Sequence, residues 1–288
     1  MEPFADRLTD ATLQVGAPAC VGLDPHLDRL PLPLIADDAH VAVAAEQFCM
    51  GVLDVVADVV PAVKPQVAFF EALGSPGVAA LERVVAAARE RGLLVVLDAK
   101  RGDIGSTARA YRTATVAADG PMCADSVTLS PYLGPESLDP FLSATDDGIG
   151  LFVLVRTSNP GAAGWQMAGA EPVAHAVANW IRAANADRLG SYGFGPVGAV
   201  IGATLPKEAP LWRERMPKAW FLVPGYGAQG ASAADCRGHA RSDGLGALVV
   251  SARGVLYPAS GRAGADWKDG VRSRALAFAE DLRVNLPA

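Results

Sequence analysis

Residues 93–107 read Leu93-Leu94-Val95-Val96-Leu97-Asp98-Ala99-Lys100-Arg101-Gly102-Asp103-Ile104-Gly105-Ser106-Thr107. An unbroken apolar run with polar residues only at its end is the pattern of a strand buried on both faces, as in a parallel sheet covered by helices. Strand side chains alternate between faces, so Asp98 and Lys100 are expected to point the same way, about 7 Å apart along the strand. Opposite charges at the end of a buried strand are costly unless they are used, and this is where a parallel-sheet enzyme presents catalytic groups. The plain alternative is a solvated charge cluster in the following loop. The other strand ends decide between the two, according to whether they deliver partners to the same place.

Working outward, apolar and β-branched segments of this kind recur at Cys20–Leu23, Ala62–Ala68, Leu93–Ala99, Ser126–Ser130, Leu151–Arg156, Val197–Ala203, Trp220–Val223 and Ala247–Ser251. Helix-like stretches lie at about 38–59, 77–91, 105–118, 135–144, 171–186, 206–214, 231–240 and 268–285. Eight strand–helix units in a chain of 288 residues predict an α/β fold, a (β/α)8 TIM barrel. A doubly wound sheet is the competing arrangement. No linker or composition break divides the chain, so residues 1–288 read as a single catalytic domain. The Gly/Ala-rich stretch 161–170 reads as a loop after the fifth strand.

Composition narrows the function. The chain is 51% hydrophobic and 19% charged, with a formal charge of −6. That balance points to neither nucleic acid nor membrane as a partner, so an anionic ligand needs a local basic site. The four cysteines, Cys20, Cys49, Cys123 and Cys236, are scattered without metal-ligand spacing and read as buried free thiols of a reducing, cytoplasmic compartment. No basic stretch followed by an apolar core succeeds Met1, so no signal peptide is expected. The apolar runs are too interrupted for a membrane span. His26, His40, His175 and His239 are spread apart, and only His26 lies near a strand end.

In a barrel of this class the loops after the strands build the active site. The first strand ends Gly22-Leu23-Asp24-Pro25, and the second carries Lys64-Pro65-Gln66. The fifth runs into Arg156-Thr157-Ser158-Asn159, the seventh into Pro224-Gly225-Tyr226-Gly227-Ala228-Gln229-Gly230, and the eighth into Ser251-Ala252-Arg253-Gly254. Lys64 either snorkels outward or stands beside Asp98 on the adjacent strand. In the second case Lys64, Asp98, Lys100 and Asp103 form an alternating row in which each charge is paired. No histidine or cysteine stands beside the row, so a nucleophilic triad has no support.

The spacing Gly225-x-Gly227-x-x-Gly230 matches a dinucleotide-binding fingerprint, but no acidic residue ends a following strand where ribose recognition needs one. In a barrel, glycine-rich turns after the last strands more often hold a phosphate, and Arg253 would complete such a site with its fork of donors. A purely structural role for these glycines is the alternative.

These strand ends together resemble the orotidine 5′-phosphate decarboxylase family, in its longer bacterial branch. The pattern Asp-x-Lys-x-x-Asp-Ile-Gly-x-Thr stands here as Asp98, Lys100, Asp103, Ile104, Gly105 and Thr107. The lysine before Pro-Gln and the Pro-Gly-x-Gly-Ala-Gln-Gly turn also fit, and the eighth strand carries Ser-x-Arg-Gly. The resemblance implies a cofactor-independent and metal-free lyase of pyrimidine (UMP) biosynthesis, active as a homodimer. By it, Lys100 is the proton donor to C6 of the pyrimidine and Asp98 lies against the substrate carboxylate, with Lys64 and Asp103 holding the row. Asp103, Ile104 and Thr107 reach into the neighbouring subunit's site. Asp24 and Lys64 contact ribose hydroxyls, Ser158 the pyrimidine, and Gln229 with Arg253 the phosphate, beside Pro224.

Two rival enzymes share this barrel chemistry. A Mg²⁺-dependent sugar-phosphate decarboxylase or synthase of the same group carries an acidic metal ligand where Lys64 stands, and a lysine there repels the ion. A Schiff-base aldolase needs a lysine of depressed pKa, whereas carboxylate neighbours raise it. A catalytically silent nucleotide-binding barrel is the third reading, and no charged position of the motif is missing to favour it.

Overall fold

The computed structural model describes residues 2–35 and 40–287. Its strands are β1 (Ala19–Leu23), β2 (Ala62–Pro65), β3 (Leu94–Arg101), β4 (Ser126–Leu129), β5 (Gly150–Arg156), β6 (Val197–Ile201), β7 (Phe221–Pro224) and β8 (Ala247–Ser251). All neighbours pair in parallel, in chain order, and β8 closes on β1. Every expected strand is therefore present, and the closed order excludes the doubly wound sheet.

The longer helices are α1 (Phe4–Val15), α2 (Val41–Val56), α3 (Gly74–Glu90), α4 (Gly105–Val116), α5 (Val173–Ala184), α6 (Ala209–Arg215) and α7 (Trp267–Asn285). Strand alternation sorts the apolar residues into two layers. Val95 and Leu97 of β3 pack outward in the layer under the helices, whereas Leu94 and Val96 point into the barrel with Cys20, Ala62, Phe152, Val200, Leu222 and Val250. Asp98 continues the inward set, so it stands at the upper end of the barrel interior.

The floor of the barrel is closed by α1, which precedes β1 and lies outside the eight expected strand–helix units. Phe4 stacks edge-on against Phe152, with ring centroids 6.0 Å apart. The helix lies so close that a Cβ on Gly150 would come within 2.1 Å of the Phe4 ring. Arg7 Nη1 reaches Asp125 at 2.6 Å, and Asp125 also accepts the Val95 N–H at 2.9 Å. The barrel is thus sealed at the bottom and open only at the top.

Several boundaries differ from expectation for local reasons. The second strand stops at Pro65, which lacks an N–H for the ladder, and Val67–Glu71 turns into a short helix. The expected helix at 135–144 is broken into 3-10 turns around a single α-turn, Asp139–Leu142, with prolines at 135 and 140. The stretch 206–214 becomes helical only from Ala209, and 231–240 holds the short helix Ala233–Cys236 followed by a 3-10 turn. Within 161–170, Ala163–Gln166 forms one helical turn. Residues 38–39 of the first expected helix lie outside the described residues; the helix itself runs Val41–Val56, three residues short of the expected end, with His40 at its N-cap and His40 Nδ1 accepting the Ala42 N–H. Cys20, Cys49 and Cys236 are buried free thiols, but Cys123 is partly exposed, with Arg89 Nη1 3.0 Å from its sulfur.

Candidate active site

Asp98 organises the open end of the barrel. Its Oδ2 accepts from Lys64 Nζ at 2.8 Å and from Gln66 Nε2 at 2.9 Å. Its Oδ1 accepts from Lys100 Nζ at 2.6 Å and from Thr128 Oγ1 at 2.9 Å. Lys64 and Asp98 are 5% and 7% exposed, which rules out the snorkelling reading of Lys64. A carboxylate this buried is stable only because every lone-pair direction has a donor, two of them cationic.

Lys100 reaches Asp98 by a route that strict alternation does not describe. The β3–β4 register passes from Leu97↔Val127 to Arg101↔Leu129, so β3 advances four residues where β4 advances two. Lys100 lies in this bulge with φ at +47°, the left-handed region, which costs a residue with a Cβ about 1–2 kcal/mol. Bulges beside active sites re-aim side chains, and here the result is an ammonium turned onto Asp98 while its side chain stays half exposed at the cavity.

The charges set one another. Burial alone would push the Asp98 carboxyl up, but Lys64 and Lys100 outweigh it and hold it well below the usual carboxylate range. Burial would likewise lower Lys64, but Asp98 and Asp24 outweigh it and keep its ammonium protonated beyond the usual lysine range. Such a lysine is no Schiff-base nucleophile. Burial pushes the Asp24 carboxyl up, partly offset by Lys64, and its Oδ1 is buried without a hydrogen-bond partner. Cys20, on the barrel interior below, is pushed up to about 12 by burial and stays a neutral thiol.

A cavity of about 460 Å³ opens above this cluster. It brings together Asp24, Lys64, Asp98, Lys100, Ser158, Pro224, Gln229 and Arg253 from the ends of six strands and their loops. Its floor is apolar, from Leu154, Val200, Leu222 and Val250, so the charged groups above it act in a medium that screens them poorly. Three cationic and two acidic side chains face it, a local positive excess in a chain of net charge −6.

Ser158 Oγ donates to Gln229 Oε1 at 2.9 Å, joining the loops after β5 and β7 across the cavity. Gly225, Gly227 and Gly230 have φ of +119°, +71° and +95°, values that a side chain would resist, so the glycines have a conformational reason. The N–H groups of Gly227 and Gly230 bond to Ala231 and Gly227 carbonyls within the turn. These two amides therefore hold the turn rather than face a ligand.

Asp103, Ile104 and Thr107 lie outside the cavity of their own chain. Asp103 Oδ1 accepts the Ile104 N–H at 2.8 Å, and Ile104 and Thr107 are exposed. The charge row within one chain is thus Lys64–Asp98–Lys100. Gln66 and Thr128, which bond directly to Asp98, were not singled out as site residues. Gln66 was legible, two residues beyond Lys64 on the same strand end, whereas Thr128 is an uncharged residue within a short buried strand and carries no such signal.

Comparison with known proteins agrees with this geometry. The sequence model of the Orotidine 5′-phosphate decarboxylase / HUMPS family matches residues 18–266. The orotidine 5′-phosphate decarboxylase of Rhodopirellula baltica is 42% identical, over 98% of this chain and 100% of its own. That of Deinococcus radiodurans is 42% identical, over 97% of this chain and 96% of its own. The structure of the Leishmania donovani OMP decarboxylase superposes with a TM-score of 0.77 at 34% identity, covering 98% of each chain.

Proposed function

This chain belongs to the orotidine 5′-phosphate decarboxylase / HUMPS family and is a carboxy-lyase that converts orotidine 5′-phosphate to UMP and CO2, and we propose that Lys100, held by Asp98, is the acid of that reaction. The observation that carries this assignment is the buried carboxylate clasped between two ammonium groups, one of them facing the cavity.

Loss of CO2 from C6 breaks the C6–carboxylate bond and leaves its electron pair on C6. The Lys100 ammonium stabilises that pair as it develops and then transfers a proton to C6, completing UMP. Solvent at the exposed side of Lys100 restores its proton. Asp98 fixes the ammonium and sets a negative charge beside the departing carboxylate. Lys64 keeps Asp98 ionised throughout. With Asp24 it faces the ribose hydroxyls, and the unpartnered Asp24 oxygen is an acceptor waiting for such a donor. Ser158 and Pro224 border the pyrimidine, and Arg253 with the Gln229 amide takes the phosphate. Phosphate binding, remote from C6, supplies energy that orders the site.

The reaction as written needs neither cofactor nor metal. The Lys64 ammonium, 2.8 Å from Asp98, occupies the place where a Mg²⁺-dependent relative needs an acidic ligand, and it repels a dication. The active unit is a homodimer in which Asp103, Ile104 and Thr107 complete the neighbour's site, in keeping with their place outside their own cavity and with the exposure of Ile104 and Thr107. The whole chain works as one catalytic domain, in the cytoplasm, on a nucleotide and with neither nucleic acid nor membrane as partner. No helix among the described residues is long and apolar enough to cross a membrane.

The test is absorbance loss on incubation with orotidine 5′-phosphate in EDTA. Turnover undiminished by the chelator is expected; strict Mg²⁺ dependence would transfer the chain to the metal-dependent sugar-phosphate decarboxylases and synthases.

A further inference from the structure

The bulge in β3 raises a question of support. Lys100 sits at φ +47° where β3 leaves the regular β4 ladder, so its conformation needs a restraint and its N–H needs an acceptor. Thr128 provides both. Its Oγ1 accepts the Lys100 N–H at 2.9 Å and donates to Asp98 Oδ1 at 2.9 Å, the same oxygen that holds Lys100 Nζ at 2.6 Å.

The proton directions are fixed by chemistry. A backbone N–H can only donate and an ionised carboxylate can only accept, so the hydroxyl proton belongs to Asp98 and a lone pair to Lys100. The result is a closed ring through the Thr128 hydroxyl, the Asp98 carboxylate and both ends of Lys100. Thr128 is 1% exposed on a strand paired on both sides, and its β-branched side chain has little rotamer freedom, so the ring hangs from a rigid point.

We propose that Thr128 is a positioning residue for proton transfer: its hydroxyl locks the strained backbone of Lys100 and thereby the aim of the Lys100 ammonium. The inference rests on the assignment of Lys100 as the acid. Without the hydroxyl, the Lys100 N–H loses its acceptor, Lys100 relaxes out of the left-handed region, and the ammonium drifts from the reacting carbon. Ground-state binding of the nucleotide uses other groups and persists.

The experiment compares Thr128→Val, which keeps the shape and removes the hydroxyl, with Thr128→Ser, which keeps the hydroxyl, and Thr128→Ala serves if the valine variant does not fold. Measured where circular dichroism shows a folded protein, Thr128→Val should lose about 10- to 100-fold in kcat with KM within about 3-fold, and Thr128→Ser should stay within about 3-fold of the parent in both. A crystal structure of the hydroxyl-free variant should show Lys100 at negative φ. Parental kcat in that variant, an equal loss in Thr128→Ser, or Lys100 still at positive φ would overturn the inference. If the parent protein itself does not decarboxylate the nucleotide, the functional assignment fails, while the Lys100 backbone still judges the role of Thr128.

Discussion

The Lys64 ammonium and the Asp98 carboxylate form an ion pair 2.8 Å long that is almost wholly removed from solvent, on adjacent strands at the mouth of the barrel. Each group is tolerable in that place only because of the other. Mutual dependence of this kind makes the pair a strict requirement of the fold as well as of the chemistry.

Replacing Lys64 with methionine should therefore destabilise the protein by about 3–5 kcal/mol at neutral pH, since it strips one cation from a buried carboxylate. The pH dependence follows from the signs of the two shifts. Asp98 is depressed in the folded state, so its contribution is complete above the unfolded aspartate value of about 3.9 and is lost as pH falls toward the folded value. Lys64 is raised, so its contribution is complete below about 10.4 and is lost as pH rises toward the folded value. Denaturant melts at several pH values should show the gap between parent and variant widest between these limits and narrowing below about pH 4. A gap independent of pH would contradict the pairing.

Arg253 faces the cavity from the turn after β8 and is exposed, as a phosphate ligand should be before substrate arrives. Arg253→Ala should act mainly on KM, losing about 2–4 kcal/mol of binding, with a smaller effect on kcat. Steady-state kinetics decides the matter, and an unchanged KM would remove Arg253 from the phosphate site.

If Asp103 serves the neighbouring subunit, two defective variants can rescue each other. Asp103→Asn and Lys100→Ala should each be nearly inactive alone. After mixing under conditions that exchange subunits, half of the dimers are hybrids, each with one intact site, so activity should return to about a quarter of the parental level. No recovery, with exchange verified by mass, would place Asp103 in its own subunit's site or outside the chemistry.

Much of this was legible in the sequence because a closed parallel barrel writes a simple code. Strands covered on both sides read as apolar runs, and polar residues at their ends read as the site. Asp98, Lys64, Asp24 and Arg253 were found that way. The limits are physical too. The helix Phe4–Val15 packs under the barrel rather than between strands, so strand–helix periodicity gives it no place. The Lys100 bulge breaks the two-residue period on which the expected alignment with Asp98 relied, although both side chains still meet. Thr128 carries no charge, and a threonine in a buried strand looks like packing until its two hydrogen bonds are seen.

The most direct measurement is the turnover of orotidine 5′-phosphate by Lys100→Ala beside the parent, together with binding of UMP to both. The account predicts rapid absorbance loss with the parent and none detectable with the variant, while UMP still binds the variant. Near-parental decarboxylation by Lys100→Ala would contradict it.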